Sequence, residues 1–447
     1  MDHWGILKCM TPGHKDIPLQ KWIEPIGRAN KECNIHEPNI SSKHCIIEKR
    51  MIGNEAIFFI TDVSSNGTWV NHNRIDKLEQ VPLTCYDEIT LLDPNLQKKK
   101  CISYMFVDME FEKKESTLGG PQNRYEILDF LGVGGFGVVR KVKRISDGTL
   151  WAMKKINISK ARAKGEDKMI RNECEVLRQV NHPSIIKLGE VLETRDYVYI
   201  IMEFINGGNL LRGVRLANEH EREIHKQEFD ILKEKMADCV NKNKVDEYNA
   251  LEEKYLNLKE EVDSTAFSED VCRLITKQIL EALKYLHSKN IIHRDLKLEN
   301  IMWTGKNYEI RVTDFGLGRV VGDDFIAGTI CGTTLYAPPE FYKRQPYNGP
   351  KADIYSCGIV LYNMICNNFP FDRSLNPSEL ARAISEGKII KRKKLESSSI
   401  ELIDLLNNML CVDPEKRFTS EQCLNHEFFE RKHEASSPLI ELSKPAF

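Results

Sequence analysis

The stretch His293-Arg294-Asp295-Leu296-Lys297-Leu298-Glu299-Asn300 carries the strongest pattern in the chain. Asp295 supplies a carboxylate that can accept the proton of a substrate hydroxyl, and Lys297 can neutralise charge on a phosphoryl group in transfer. Asn300 supplies an amide oxygen for Mg²⁺, and the downstream Asp314 supplies a carboxylate for the same metal. These residue types in this order predict phosphoryl transfer from a magnesium nucleotide.

A glycine-rich segment lies upstream, at Gly132-Val133-Gly134-Gly135-Phe136-Gly137. Glycines let the backbone approach phosphate oxygens closely, but dinucleotide-binding enzymes share this spacing. Those enzymes place a helix directly after the glycines, whereas Val138, Val139 and Val142 predict a strand here. A strand on each side of the glycines is typical of a lid over nucleotide phosphates, and it excludes a dinucleotide-dependent enzyme.

A lysine follows about one strand after the glycine-rich segment, and a glutamate follows on the next predicted helix. Trp151-Ala152-Met153-Lys154 is interpreted as the end of the next strand, from which Lys154 can pair with the α- and β-phosphates. Glu173, on the following predicted helix, can hold that lysine in an ion pair. A lone Lys or Glu is usually a solvated surface charge, so the interpretation depends on the complete ordered series.

Taken together, residues 125–429 resemble a eukaryotic protein kinase domain. The resemblance implies a two-lobed α+β fold that binds ATP and Mg²⁺ in its cleft and phosphorylates proteins on Ser or Thr. Lys297, after His293-Arg294-Asp295, is typical of serine/threonine kinases rather than tyrosine kinases. The residues that the resemblance places at ATP, the last two also as Mg²⁺ ligands, are Gly132, Val133, Gly134, Gly135, Phe136, Gly137, Val139, Ala152, Lys154, Met202, Glu203, Ile205, Glu299, Asn300 and Asp314.

The same resemblance assigns structural roles and exposes departures from the family. It makes Met202 the gatekeeper before a hinge at 203–205, Asp353 a buried aspartate, and Glu340 and Arg417 an ion pair. The departures are Pro338-Pro339-Glu340 in place of Ala-Pro-Glu, Tyr355 in place of Trp, and Asn209 where many kinases with basic substrates have an acid. We expect only local repacking at the first two positions.

A segment rich in Glu and Lys, residues 216–262, interrupts the kinase pattern. Apolar residues recur there at helical spacing on both sides of a break at 241–244, which predicts two antiparallel helices. Two interpretations stay open: a solvated insertion without a special role, and a coiled coil that binds a partner.

A long amphipathic helix is predicted over residues 268–287. Ser268 is its predicted N-cap, and Glu269 and Asp270 fall in its first turn. The apolar residues at helical spacing predict its buried face: Leu274, Ile275, Ile279, Leu283 and Leu286.

The N-terminal part, residues 5–110, has short apolar runs and predicts a β-sandwich. Asn66-Gly67 predicts a hairpin turn, because both central residues of that turn need positive φ. A polar linker at 111–124 leads into the kinase pattern, and residues 430–447 form a tail. The strands predicted from the apolar runs are 46–47, 57–60, 68–70 and 102–107.

Three motifs give this sandwich a function: Gly27-Arg28, residues 41–44 and residues 62–68. They resemble the forkhead-associated (FHA) domain, which binds phosphothreonine. Arg28 offers a planar bidentate donor to phosphate, Ser41 a hydroxyl and Lys43 a point charge, while Asn66 can hold the peptide backbone. His44 is expected to support the loop from inside. The alternative is that these residues only shape β-turns.

An FHA sandwich followed by a kinase domain resembles the effector checkpoint kinases. This implies a signalling role in the DNA damage checkpoint, although the Ser-Gln and Thr-Gln pairs frequent in that family are absent from this sequence. We expect Thr329 to be the activation-loop phosphosite. The expected partners are proteins with phosphothreonine, Ser/Thr substrates and, transiently, a second copy of the chain. The rival interpretation is a phosphopeptide-binding scaffold with an inactive kinase fold.

The composition limits the classes of protein to which this chain can belong. Hydrophobic residues make up 41% and charged residues 29% of the 447 residues, and the net charge is -2, which gives no support for nucleic-acid or membrane binding. No apolar run approaches the ~20 residues that span a bilayer. Thirteen cysteines without C-x-x-C spacing argue against a zinc site and a disulfide scaffold. We therefore expect a protein of the nucleus, the cytoplasm or both.

Overall fold

The computed structural model describes residues 3–11, 14–53, 55–71, 73–85, 87–92, 101–110, 121–134, 137–163, 165, 167–242, 244–264, 266–316, 318–320, 326–327, 334–343 and 347–430. The chain divides into two compact units, Met1–Thr149 and Leu150–Phe447. Each is described by itself. No helix within the described residues is long and apolar enough to cross a membrane.

Two antiparallel sheets form most of the first unit. The strands are β1 (Gly5–Cys9), β2 (Ile17–Leu19), β3 (Ile23–Ile26), β4 (Cys45–Ile52), β5 (Glu55–Asp62), β6 (Thr68–Val70), β7 (Asn73–Arg74), β8 (Gln80–Leu83), β9 (Glu88–Leu91) and β10 (Ile102–Asp108). One sheet has the strand order β2-β1-β10-β9-β6-β7 and the other β3-β4-β5-β8. Alternate residues of both sheets, such as Leu7, Ile47 and Phe106, are fully buried in one core. The predicted β-sandwich is confirmed.

The predicted hairpin at Asn66-Gly67 is wrong, although the strands around it were predicted correctly. β5 pairs with β4 and β8, whereas β6 pairs with β7 and β9, so residues 63–67 cross from one sheet to the other. Only Gly67 has positive φ, at 94°, and its N–H donates to Ser64 Oγ at 2.7 Å. The side-chain hydrogen bond, rather than a two-residue turn, therefore shapes this loop.

A β-hairpin completes the described part of the first unit. β11 (Tyr125–Gly134) pairs antiparallel with β12 (Gly137–Arg144), ending at the pair Gly134 and Gly137. The glycine-rich segment is thus followed by a strand, as predicted, which rules out the helix of a dinucleotide-binding fold. Gly135 and Phe136 lie outside the described residues.

The second unit begins with an antiparallel sheet and continues as a mainly helical body. β13 (Leu150–Asn157) and β14 (Leu188–Glu193) both pair with β15 (Tyr197–Glu203). Lys154 lies in the middle of β13 and not at its end, which corrects the prediction. The shorter strands are β16 (Ile291–Ile292), β17 (Ile301–Trp303), β18 (Ile310–Val312), β19 (Arg319–Val320), β20 (Ile326–Ala327) and β21 (Tyr347–Asn348).

Helices make up the rest of the second unit. They are α1 (Ile158–Ala163), α2 (Asp167–Gln179), α3 (Leu210–Ile224), α4 (Lys226–Asn241), α5 (Val245–Asp263), α6 (Glu269–Ser288), α7 (Gly349–Cys366), α8 (Pro377–Ser385), α9 (Lys393–Glu396), α10 (Ile400–Met409) and α11 (Ser420–Leu424). α6 begins at the predicted N-cap, where the Ser268 hydroxyl accepts from Val271 N. Ile275, Ile279 and Leu283 are buried on it as predicted, whereas Leu274 is half-buried. α7 is buried along nearly its whole length, so it forms the centre of the helical body.

The insertion contains three helical segments instead of two. Residues 216–224 extend α3, and α4 and α5 then pack as an antiparallel pair around the Phe229 and Tyr255 rings, whose centroids are 5.4 Å apart. The first of these two helices ends at Asn241 and the second begins at Val245, which agrees with the predicted break. At its base, Asn218 is buried and donates to the Val262 carbonyl at 2.7 Å. The two ends of the insertion are therefore joined to each other by a buried hydrogen bond.

A buried ion pair ties the segment before α7 to the loop before α11. Arg417 bonds the Glu340 carboxylate with both terminal nitrogens, at 2.7 and 2.9 Å, and its side chain is 0% exposed. Its guanidinium also lies 5.0 Å from the ring centroid of Tyr355, which fills the position where the family has Trp. The implied ion pair is therefore present, and Tyr355 keeps an aromatic face for the guanidinium.

Replacing Arg417 with Met should lower the free energy of unfolding of the second unit by about 3–5 kcal/mol, because it leaves the Glu340 carboxylate buried without its cation. Arg382→Met is the control: Arg382 pairs with Glu386 at 2.8 Å, but its side chain is 78% exposed, so little change is expected. Urea denaturation followed by helix circular dichroism measures both. Equal midpoints for the two variants would contradict the role of the buried pair.

Candidate active site and phosphate-reading loops

A buried ion pair between Lys154 and Glu173 lies in the second unit, and the partly exposed Asp314 is beside it. Lys154 Nζ on β13 contacts both carboxylate oxygens of Glu173 on α2, at 2.7 and 2.8 Å, and Asp314 Oδ1 lies 3.7 Å away. Lys154 and Glu173 are 4% and 1% exposed. Burial opposes the ammonium, but the two carboxylates outweigh it and hold the pKa of Lys154 above its usual value. The lysine is therefore charged and fixed in place.

Asp295 is the centre of a second group of polar side chains. Its Oδ2 accepts from Lys297 Nζ at 2.6 Å and from the amide nitrogen of Asn300 at 3.0 Å. The same nitrogen donates to the Asp295 carbonyl at 2.9 Å, which fixes the rotation of the Asn300 amide. The three residues predicted from the 293–300 stretch are thus joined by direct hydrogen bonds.

Asp353, buried on α7, holds the backbone of this loop. Its carboxylate accepts from the backbone N–H groups of His293 and Arg294, at 3.0 and 2.9 Å, and lies 3.0 Å from His287 Nε2. Burial opposes ionisation of Asp353, but these donors outweigh it and hold its pKa below the usual range. Arg294 has a φ of 69°, a left-handed conformation that the two bonds stabilise. His287 was missed from the sequence; its only signal was an imidazole near the end of α6.

The segment around Asp314 is tied to the same loop. His293 Nε2 bonds the Thr313 carbonyl at 3.1 Å, and the Phe315 ring, fully buried, lies 5.0 Å from the His293 ring. Asp314 has a φ of 61°, and Gly316 N–H donates to its carboxylate at 3.4 Å. Although burial raises the pKa of Asp314, Lys154 and this N–H outweigh that effect and lower it. The carboxylate therefore stays ionised.

Ala152 of β13 pairs with Met202 of β15, and the next pair along the two strands is Trp151 with Glu203. The Glu203 carboxylate accepts from Lys187 N at 2.8 Å and Arg311 Nε at 3.2 Å, so this side chain is used inside the protein. Only the backbone of Glu203 is available to a nucleotide. Ile205 follows in the connection to α3 and is half-buried.

Asn209 and Glu299 both have hydrogen-bond partners within the protein. Asn209 caps α3: its side chain accepts from Arg212 N at 3.0 Å, which explains an amide at this position. Glu299 Oε2 lies 3.5 Å from the hydroxyl of Tyr336. Thr329 falls outside the described residues, so its role stays a prediction.

The glycine-rich segment lies in the first unit. Gly132 has a φ of 154°, and the space where its Cβ would stand is open. Gly134 and Gly137 close the strand pairing of the hairpin, and Val139 on β12 is half-buried. After a register shift between Phe130 and Gly132, strand pairing therefore continues up to the two residues that lie outside the described part.

In the sandwich, a buried histidine supports the loops that carry the predicted phosphate-binding residues. His44 Nδ1 accepts from Ser41 N at 3.2 Å, so the neutral ring carries its proton on Nε2, 2.8 Å from the Gly67 carbonyl. Burial lowers the pKa of His44, although the Gly67 carbonyl opposes this. Gly27 is required here, because a Cβ would lie 2.6 Å from the Ser42 carbonyl oxygen. The predicted supporting role of His44 agrees with these contacts.

Exposed polar groups converge above His44. Arg28 is exposed, and its Nε donates to the Ile40 carbonyl, which leaves the terminal guanidinium nitrogens for a ligand. Ser41 Oγ accepts from Ser65 N at 3.1 Å, and the Asn66 amide donates to the Asn39 carbonyl at 2.7 Å. Lys43 is exposed beside them. The structure thus brings the loops that carry all four residues to one end of the sandwich.

Buried Asp62 was missed as a further support of this end of the sandwich. Its carboxylate accepts from Ser64 N at 3.0 Å and from the Thr68 hydroxyl at 2.8 Å. The signal was the spacing of Asp62, Ser64 and Thr68 around a loop that is too polar for a strand.

Comparison with known proteins agrees with this geometry. Residues 125–243 and 238–429 match the protein kinase domain family, and residues 25–92 match the FHA domain family. The chain is 30% identical to the probable serine/threonine-protein kinase fhkC of Dictyostelium discoideum, over 99% of this chain and 68% of the relative. It is 31% identical to fhkE of the same organism, over 98% of this chain but only 56% of the relative.

A third relative is the serine/threonine-protein kinase cds1 of Schizosaccharomyces pombe, 29% identical over 84% of this chain and 74% of the relative. These matches, with the catalytic pattern complete, favour an active enzyme over a scaffold. The chain therefore belongs to the protein kinase family, as a serine/threonine protein kinase that carries an FHA domain ahead of its catalytic domain.

Proposed function

We propose that Asp295 is the group that accepts the proton of the substrate hydroxyl, with Lys297 beside it to neutralise the phosphoryl group. The observation that carries this proposal is the hydrogen-bonded set of Asp295, Lys297 and Asn300 on a backbone fixed by Asp353. A positioned carboxylate with a cation at 2.6 Å suits removal of a proton from Ser or Thr as the oxygen attacks phosphorus.

ATP and Mg²⁺ are used by protein kinases in general, and the residues present fit both. Asp314 and Asn300 offer the hard oxygen donors that Mg²⁺ prefers, since the amide nitrogen of Asn300 is already used by Asp295. Lys154, fixed by Glu173, would hold the α- and β-phosphates, and Glu299 would lie near the nucleotide or the substrate. When bound, ATP and Mg²⁺ supply the γ-phosphoryl group and neutralise its charge.

The proposed contacts with the adenine base are taken from the family resemblance. Ala152, Met202 and the backbone of Glu203 and Ile205 would contact the base, together with Val139. Gly132, Val133, Gly134, Gly135, Phe136 and Gly137 would cover the phosphates.

Replacing Asp295 with Asn should lower the rate of phosphate transfer by about 10²- to 10⁴-fold, because the amide cannot accept the proton. The variant should remain folded, since Asn can still bond Lys297 through its oxygen. Transfer of labelled γ-phosphate to a Ser/Thr peptide measures the rate. Asp246→Asn, an exposed residue of the insertion, is the control and should behave as wild type. An unchanged rate for Asp295→Asn would remove this residue from the mechanism.

We infer that the exposed groups above His44 bind phosphothreonine. Arg28 supplies a guanidinium to the phosphate, Ser41 and Lys43 add a hydroxyl and a positive charge, and Asn66 holds the peptide backbone. The convergence of these loops on a single buried imidazole supports the inference, because a β-turn alone needs no such support.

Arg28→Ala should weaken binding of a phosphothreonine peptide by about 10- to 100-fold, since a hydrogen bond to a charged group contributes roughly 1.5–3 kcal/mol. Arg50→Ala is the matched control, because Arg50 lies on β4 of the same domain and pairs with Glu48. Isothermal titration calorimetry with phosphorylated and unphosphorylated peptides gives the affinities. Equal affinity of the wild type for both peptides would disprove phosphothreonine binding.

We propose further that the two activities form one switch in signalling of the effector checkpoint type, in the nucleus or cytoplasm. The FHA domain would gather kinase molecules on phosphothreonine, either on a partner or on one another, and so favour phosphorylation of Thr329 in trans. A phosphate there adds about −1.5 to −2 charges, which Arg294, next to Asp295, can pair with. Tethering raises the local concentration to the order of millimolar.

Thr329→Ala should reduce the activity of the activated enzyme, and Arg28→Ala should slow activation at low but not at high protein concentration. The concentration dependence follows because tethering matters only when free collisions are rare. Mass spectrometry of residue 329 and time courses of activation measure both effects. Fully active enzyme with Thr329 unmodified would contradict the first part, and wild-type activation of Arg28→Ala at every concentration would contradict the second.

A further inference from the structure

β10 of the FHA sandwich is apolar on both faces. Ile102, Tyr104 and Phe106 belong to the core between the two sheets. Successive side chains of a strand point to opposite faces, so Met105 and Val107 point away from that core. They are nevertheless buried, at 0% and 4% exposure. Something other than the second sheet therefore covers the outer face of β10.

The cover is the β-hairpin that carries the glycine-rich segment. Met105 and Val107 form one buried cluster with Val138 of β12, which is 3% exposed. Phe130 of β11 packs against this cluster from the hairpin side. We call this cluster the outer seam; its remaining members, on the sandwich side, are Met10, Cys85 and Met109.

The outer seam does not cover the end of the sandwich that carries the proposed phosphothreonine-binding residues. Thr68, which ends the loop of Asn66, pairs with Leu91, and Leu91 pairs with Ile102 at the start of β10. Met105 pairs with Glu88, further along the same strands. At about 3.3 Å per residue, the five steps from Ile102 to Val107 separate the two regions by roughly 17 Å. A phosphopeptide and the hairpin can therefore occupy the sandwich together.

The seam also does not cover the face of the hairpin that carries Val139. Val138 and Val139 are neighbours on β12 and point to opposite faces. Val138 lies in the seam, so Val139, the residue that the family resemblance places at ATP, lies on the other face. A contact on the outer face can restrain the glycine-rich segment without taking the place of the nucleotide.

We propose that the outer face of β10 is an intramolecular docking surface whose partner is the glycine-loop hairpin of the same chain. By holding Phe130 and Val138, the FHA domain restrains the hairpin and makes its stiffness depend on the sandwich. Only residues 109–124 connect β10 to β11, so the two surfaces meet at a high effective concentration. This goes beyond phosphothreonine binding and catalysis and does not depend on either.

Hydrogen–deuterium exchange on the full chain tests the proposal. Val107→Lys puts a charge into the seam, and exchange in β11 and β12 should become about 10- to 100-fold faster. Ile52→Lys is the matched control, because Ile52 is on β4 of the same domain and 63% exposed. Exchange in β4 and β5 reports whether the sandwich is folded. Unchanged hairpin exchange in Val107→Lys with β4 and β5 still protected would overturn the proposal.

Milder variants keep the test decisive if Val107→Lys unfolds the sandwich. Met105→Ala, Val138→Ala and the double variant form a cycle, and the proposal requires non-additive effects on hairpin exchange. Strictly additive effects would overturn it. Hairpin protection that rises with protein concentration would also overturn it, since the seam would then join two copies of the chain.

Discussion

A charged lysine buried among two carboxylates is the interaction on which the catalytic part of this protein depends. Lys154 lies on a strand, Glu173 on a helix and Asp314 on a loop, and their charged atoms lie within 3.7 Å of the ammonium. An ion removed from water is tolerated only with such partners, because its desolvation costs several kcal/mol. The strand and the helix therefore cannot separate without leaving both Lys154 and Glu173 buried and unpaired, and the loop adds Asp314 as a second, partly exposed neighbour of the lysine.

The protein uses one device at both of its candidate sites: a buried polar group that positions exposed ones. In the kinase domain, Asp353 holds the backbone of His293 and Arg294 and so sets the position of Asp295. In the FHA domain, His44 joins Ser41 to Gly67 from below. Each buried group has several hydrogen-bond partners, which fix the positions of its neighbours.

Structural features that depend on local sequence pattern were predicted from the sequence. Features that depend on which strands or helices pack together were missed. Ser268 as an N-cap and the strand 68–70 follow from side-chain chemistry and alternation, and both are present. The Asn66-Gly67 hairpin failed because the two flanking strands join different sheets, which no local pattern reveals. The apolar run at 104–107 did carry a signal: a strand apolar on both faces requires two covers. His287 and the extended α3 depended on tertiary contacts with α7 and with the base of the insertion.

The most direct test of this account is the rate of γ-phosphate transfer by Glu173→Gln. The amide is nearly isosteric with the carboxylate but cannot neutralise Lys154, so the lysine should lose its fixed position. A displacement of about 1 Å in an active site can lower the rate by ~10²-fold, and a loss of that order is expected. Glu175→Gln, an exposed neighbour on the same helix, should transfer phosphate at the wild-type rate. A folded Glu173→Gln enzyme with wild-type activity would contradict the account.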